Sequence, residues 1–184
     1  RGSRDASPDS LLGLWQALDE NSIISVTDER GRIIAANDGF LEISGYSRQE
    51  LIGETHRILN SGHHARAFWV DVWKTIASGE VWRGEVCNRR KSGEEYWVDS
   101  TIVPCRGADG AIERYVSIRY DITQQKQTQV ELASLARHNE MLATAVSRCP
   151  VAIVMTDLEG VVTFANEAAQ ELDASLEADV AVGQ

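Results

Sequence analysis

The order of patterned segments predicts an α+β fold, a five-stranded antiparallel sheet with short helices on one face. Three observations carry this. Two strand-like runs, Ile23 to Thr27 and Ile33 to Ala36, flank a tight turn at Asp28-Glu-Arg-Gly31. A block of short helical patterns and one longer amphipathic helix come next. Three further strand-like runs then close the segment at Thr123.

In chain order, Ser7-Pro8-Asp9-Ser10 offers capping residues and a first-turn proline ahead of Leu11, Leu12, Leu14, Trp15 and Leu18 at helical spacing. After the first hairpin, Asn37 is placed to cap a short helix holding Phe40, Leu41 and Ile43. Ser47-Arg-Gln-Glu50 reads as a capping box leading into Leu51 and Ile52. An irregular polar stretch from Glu54 to His64 precedes a helix over Arg66 to Ser78, with Phe68, Trp69, Val72, Trp73 and Ile76 on one side. Val81 to Pro104 reads as a hairpin around Lys91-Ser92-Gly93, where glycine supplies the positive φ of the turn. Gly107-Ala-Asp-Gly110 turns the chain into the last strand, Ile112 to Thr123.

Composition narrows the function. The chain has 184 residues and a net charge of -10, from 28 acidic and 18 basic side chains, which disfavours nucleic acid and anionic membranes as partners. Apolar runs fall far short of the roughly 20 residues that span a bilayer, and no signal-peptide pattern opens the chain. Cys87, Cys105 and Cys149 are scattered without ligand spacing, against a disulfide scaffold or structural zinc. A reduced, cytoplasmic protein is expected. No nucleophile elbow, Walker loop or metal-ligand spacing appears, so no catalytic residue is assigned.

Strand parity supplies the first site residues. Trp82, Gly84, Val86 and Asn88 share one face, and Arg83, Glu85 and Arg89 the other. An aromatic, a gap and an amide looking inward suit a flat polar heterocycle, because Asn both donates and accepts. The residues alone leave open that Trp82 is core and Asn88 only ends a strand.

Thr27-Asp28, Gly31, Ala36-Asn37, Ser44-Gly45-Tyr46, Glu50-Leu51-Ile52-Gly53 and Asp121-Ile122-Thr123 resemble a PAS domain over roughly residues 20 to 123. The Phe68-Trp69-x-Asp71-x-Trp73 helix, Trp82-x-Gly84 and Asn88-Arg-Arg-Lys-x-Gly-x-x-Tyr-Trp-Val98 are similar to the flavin-binding type of aerotaxis receptors and of the redox sensor controlling nitrogen-fixation genes. That resemblance implies FAD held without a covalent bond. It implies Asn88 at the isoalloxazine edge, Trp73 beside the flavin, Asn37 as important for FAD binding, Trp69 where one relative has Phe, and Ser25 as a weaker match on the first strand. For Trp69 and Trp73, aromatics four apart are also what a helix core would show.

Departures from related photoreceptors matter equally. Gly53 to Asn60 lines up with the signature of LOV domains, but His56 stands in place of the adduct-forming cysteine, followed by Arg57. Imidazole does not add to flavin as a thiolate does. Val98 and Arg119 stand where the LOV pattern has Asn and Gln. This leaves a flavin whose oxidation state is the signal, with His56, Arg57 and Arg119 as further lining residues and the Arg119 guanidinium favouring an anionic ring. A surface Arg119 is the alternative. His56, His63 and His64 also keep a haem-binding PAS sensor open, although His63-His64 sit in a polar turn expected to be exposed. A cofactor-free dimerisation or ligand-binding module is the other reading.

Thr128, Leu132, Leu135, Asn139, Leu142 and Val146 form a short heptad seam. Beyond it, Val154 to Asn166 repeats Ser25 to Asn37 without gaps at a constant offset of 129, Asp28 falling on Asp157 and Asn37 on Asn166. The expected organisation is a cap helix at 1–20, a PAS domain at 21–123, a linker helix at 124–147 and the incomplete start of a second PAS domain at 148–184. Homodimerisation through the N-terminal helix, the outer sheet face and the linker helix is expected, with a downstream effector in the same chain.

Overall fold

The structure, a computed structural model, describes residues 22–173. The expected helix around Leu11 to Leu18 lies outside the described residues. Strands β1 (Ile23–Asp28) and β2 (Ile33–Ala36) pair antiparallel through Ser25↔Ala36, Val26↔Ala35 and, after a bulge, Thr27↔Ile33. The turn between them is closed by Asp28, whose Oδ1 accepts from the N–H of Arg30 at 3.0 Å and of Arg32 at 2.7 Å. Gly31 completes it at φ 79°, a left-handed value that a side chain would resist.

Helix α1 (Asp38–Ser44) starts at Asn37. The Asn37 Oδ1 accepts from Phe40 N–H at 3.0 Å and Ile24 N–H at 2.8 Å, and its Nδ2 donates to the Ser22 carbonyl at 2.8 Å. One carboxamide thus caps the helix and ties it to β1. In α2 (Arg48–Leu51) the Glu50 carboxylate accepts from the Ser47 N–H and hydroxyl at 3.0 and 2.9 Å and from Lys91 Nζ at 2.6 Å. The Lys91 hydrogen bond, with those from Ser47, lowers the Glu50 pKa to about 2. A 3₁₀ turn (His56–Leu59) and helix α3 (Arg66–Ala77) complete the helical block.

Strands β3 (Trp82–Arg89), β4 (Glu95–Arg106) and β5 (Ile112–Asp121) follow, and the sheet runs β2-β1-β5-β4-β3, antiparallel throughout. The fold class is the one the sequence predicts. Ile33, Phe40, Leu51, Leu59, Val72, Ile76, Val86 and Val98 form the core between helices and sheet. Apolar burial at about 25 cal/mol per Å² is what holds these short helices down, since four to seven residues are too few to be helical alone.

The chain divides into two compact units at Lys126. The second includes most of α4 (Thr123–Ser147), which has no buried residue, and the hairpin β6 (Val154–Thr156) and β7 (Val162–Ala165). No helix among the described residues is long and apolar enough to cross a membrane.

Candidate functional site

Register decides which side chains look inward. Asn88 pairs with Tyr96, Val86 with Val98, Gly84 with Ser100 and Trp82 with Ile102; Ser100 then pairs with Arg119, and Arg119 with Ile23. Because residues directly opposite share a face, Trp82, Gly84, Val86 and Asn88 stand with Tyr96, Val98, Ser100, Ser117, Arg119 and Ser25. Trp82 and Asn88 are buried, on the face that strand parity predicts.

This inner face is unusually polar. Ser25, Ser100, Ser117, Asn88 and Arg119 are all buried, and Tyr96 is 1% exposed. Arg119 is not the surface arginine the sequence left open. Its Nη1 donates to Ser25 Oγ at 3.0 Å, its Nη2 meets His56 Nε2 at 2.9 Å, and its guanidinium lies 5.4 Å from the Phe40 ring centroid. A guanidinium only donates, so His56 Nε2 is the acceptor and the ring proton sits on Nδ1. Ser25 Oγ is 3.0 Å from the same nitrogen. Burial, with the Arg119 charge adding to it, holds the His56 pKa well below the ordinary histidine value, and burial lowers Arg119 to about 10. Among the described residues no carboxylate lies within ion-pair distance of Arg119. A cation buried without a counter-charge is costly, and its hydrogen bonds to neutral groups offset only part of that.

Two further polar atoms stand out. The Tyr96 and Ser100 hydroxyls are buried and have no hydrogen-bond partner. Burial pushes the Tyr96 pKa up to about 12, while Arg119 pulls the other way. For the site, sequence reasoning applied parity to β3 alone and so missed both residues. Parity on β4, once its register was fixed by the hairpin, was the signal that could have found them.

The remaining predicted residues are divided. Trp69 is half-buried, with Phe68 at 5.1 Å and His64 at 5.8 Å between ring centroids, and Phe68 in turn meets Trp82 at 5.6 Å. Trp73 is 44% exposed and stands apart, its ring over Gly31 and edge-on to Tyr115 at 5.8 Å. Helical spacing put it on the apolar side of α3, but it lies at the flank of that stripe, over the β1–β2 turn. Arg57 is exposed. Asn37 spends its carboxamide on backbone.

In the turn holding the two histidines, His63 is exposed as expected, whereas His64 is half-buried. His64 Nε2 accepts from the Cys87 N–H at 2.8 Å and its ring stacks on Phe68 at 4.1 Å; His63 lies edge-on to Trp97 at 4.8 Å. Ser61 Oγ donates to the Cys87 carbonyl at 2.7 Å, so this segment covers the exposed edge of β3. That is why Cys87, on the outer face, is fully buried.

Residues 20–124 match the PAS domain family, and residues 140–172 match it again. The chain belongs to the PAS domain family. The first PAS domain is similar to the aerotaxis receptor of Escherichia coli, 40% identical over 113 residues that make up 61% of this chain and 22% of that receptor. The nitrogen fixation regulatory protein of Klebsiella oxytoca is 31% identical over 143 residues, 78% of this chain and 28% of that protein. A solved PAS domain from Colwellia psychrerythraea superposes with a TM-score of 0.55 at 29% identity, covering 62% of this chain and 98% of that one. The chain spans about a quarter of the length of the two curated relatives. These relatives place the PAS domain among signalling proteins.

The inner face of this PAS domain fits the cofactor the resemblance implies. A buried cation without a carboxylate, a carboxamide and two unpartnered hydroxyls are donors and acceptors in excess of what the core uses, as a polar heteroaromatic ring needs. Among the described residues no group of three metal-ligating side chains occurs.

Proposed function

We propose that this PAS domain binds FAD without a covalent bond and reports redox state or oxygen to a downstream effector through α4. The observation that carries the reading is Arg119, a buried guanidinium on the inner face facing only neutral partners. FAD, when bound, supplies a ring whose charge and protonation change with its oxidation state.

The chain's own residues would do the following. Arg119 stays protonated near neutral pH and presents a fixed positive charge that favours an electron-rich ring. Neutral His56 and Ser25 orient it. Asn88, opposite Tyr96, offers a donor and an acceptor on one carboxamide. Trp69, Phe68 and Trp82 would form an aromatic wall. Asn37 supports binding indirectly, by fixing α1 and Phe40 against the sheet. His56 in place of a thiol supports a redox signal over adduct photochemistry.

The route outward starts on β4. Trp97 lies between the inward residues Tyr96 and Val98, and its N–H donates to Thr123 Oγ1 at 3.0 Å. Lys126, one turn into α4, lies 5.2 Å from the Trp97 ring centroid and 2.5 Å from Glu85 of β3. Any shift of inner β4 is therefore felt at the start of the helix. Leu132, Leu135 and Leu142 of the heptad seam are exposed, which suits homodimerisation with α4 of a second copy. The role is sensing rather than catalysis, in a cytoplasmic setting.

Purified protein should be yellow, and the cofactor released on denaturation should be FAD. Asn88→Ala should lower flavin occupancy about tenfold, the value of one lost polar contact to a buried group. Colourless protein from flavin-replete cells, taking up no added FAD, overturns the reading; a Soret band would transfer the site to haem.

A further inference from the structure

Two hydroxyls on the inner face remain unexplained by the fold. Tyr96 and Ser100 are each 1% exposed; Ser100 Oγ has no partner, and Tyr96 Oη lies close enough to the Asn88 carboxamide for it to lower the phenol pKa but makes no hydrogen bond of good geometry. Buried polar atoms in folded proteins are almost always hydrogen-bonded, because an orphaned one keeps the cost of leaving water without the return. Neither is needed as a hydroxyl for packing. The Tyr96 ring has the Arg90 guanidinium 5.0 Å from its centroid, and Ser100 is held in the ladder by its backbone.

Position turns the two orphans into one feature. Tyr96 lies opposite Asn88, and Ser100 lies opposite both Gly84 and Arg119, so one row of β4 joins the carboxamide to the guanidinium. Gly84 carries no side chain beside Ser100, and Trp82 fills the neighbouring space so closely that a Cβ at Gly84 would stand 2.8 Å from its ring. The Tyr96 phenol feels both Asn88 and Arg119. Raised far above neutral, it keeps its proton and is available as a donor.

We infer that Tyr96 Oη and Ser100 Oγ are ligand contacts, each donating a hydrogen bond to a carbonyl or ring-nitrogen acceptor of the bound flavin, between Asn88 and Arg119. This rests on the flavin reading and adds to it two specificity-determining residues. A ring lacking acceptors on that edge would leave both hydroxyls unpaired and bind more weakly. No bond is made or broken; the proton stays on each oxygen.

The experiment compares the parent chain with Tyr96→Phe, Ser100→Ala and the double variant, in the apo form and titrated with FAD. Without ligand, both hydroxyls are unsatisfied, so each variant should melt at or above the parent temperature. With FAD, each should bind about tenfold more weakly and shift the visible flavin band, the double variant more so. Equal affinity and an unshifted band in folded variants overturn the assignment while leaving the flavin reading intact. A lower apo melting temperature also overturns it, since the hydroxyls would then be satisfied internally, by water or protein. If the parent takes up no FAD, the flavin reading fails, and this one with it.

Discussion

The same structural unit occurs twice among the described residues, once within a five-stranded sheet and once as a two-stranded hairpin. At the offset of 129, the carboxamide of Asn166 repeats that of Asn37: its Oδ1 accepts from Ile153 N–H at 2.8 Å and Ala169 N–H at 3.0 Å, and its Nδ2 donates to the Val151 carbonyl at 2.8 Å. Asp157 closes its turn as Asp28 does, accepting from Glu159 and Val161 at 3.0 and 2.9 Å. The strand register repeats too, with Val154↔Ala165, Met155↔Phe164, a bulge, and Thr156↔Val162. Burial does not repeat. Ile33 is 0% exposed and its counterpart Val162 57%, and the buried Phe40 ring is replaced by Ala169. Local polar geometry is thus carried by a dozen residues, whereas the core is built with the further strands and helix that, among the described residues, accompany only the first copy.

The sharpest test of that contrast removes the aromatic. Phe40→Ala should cost the first unit about 3–5 kcal/mol, typical of a fully buried phenylalanine, and loosen the support of Arg119. The counterpart already carries alanine at that position. Thermal or urea unfolding measures the first, and survival of an unchanged melting transition would break the comparison. Next in size are the two asparagines. Asn37→Ala should destabilise the first unit by about 2–3 kcal/mol, for a lost cap and orphaned buried N–H groups. Asn166→Ala should leave that transition in place and speed amide hydrogen exchange only around residues 151–169. Equal effects of the two on the main transition would mean that the units are not independent.

The smallest expected effect is a pH dependence confined to the first copy, since the described part of the second has no counterpart of His56. With its folded pKa depressed by burial and by Arg119, His56 takes up its proton more readily unfolded than folded. Stability it contributes is complete above the ordinary histidine pKa of about 6.5 and falls as pH drops below it. His56→Gln should flatten the melting temperature between pH 7 and 5 relative to the parent. An equally steep profile in the variant would remove His56 as the cause.

Much of this was legible in the chain. The Asp28 and Asn37 devices are local, so a short motif specifies them, and the repeat at Asp157 and Asn166 shows the motif acting twice. The inward set on β3 followed from the period of two. What parity on one strand did not reveal was the rest of the inner face, because Tyr96, Ser100 and Arg119 join Asn88 only through the pairing of β4 with both neighbours. Trp73 misled for a related reason. A helix stripe shows which residues are apolar, but where its margin ends depends on what packs beside it, here Gly31 and Tyr115. His64 looked as solvated as the exposed His63 because the turn is polar, and only the bare edge of β3 gives its ring something to cover.

By itself, then, the sequence determined the elements, their caps and turns, the antiparallel hairpins and the presence of a second beginning. All of these depend on contacts within a few residues or on side-chain period. Only the tertiary structure decided that a cation, a carboxamide and two idle hydroxyls share one buried surface, because that surface is built from strands distant in sequence, with Ser25 meeting Arg119 across 94 positions. Burial of a charge is a property of everything packed around it, and no local pattern encodes it.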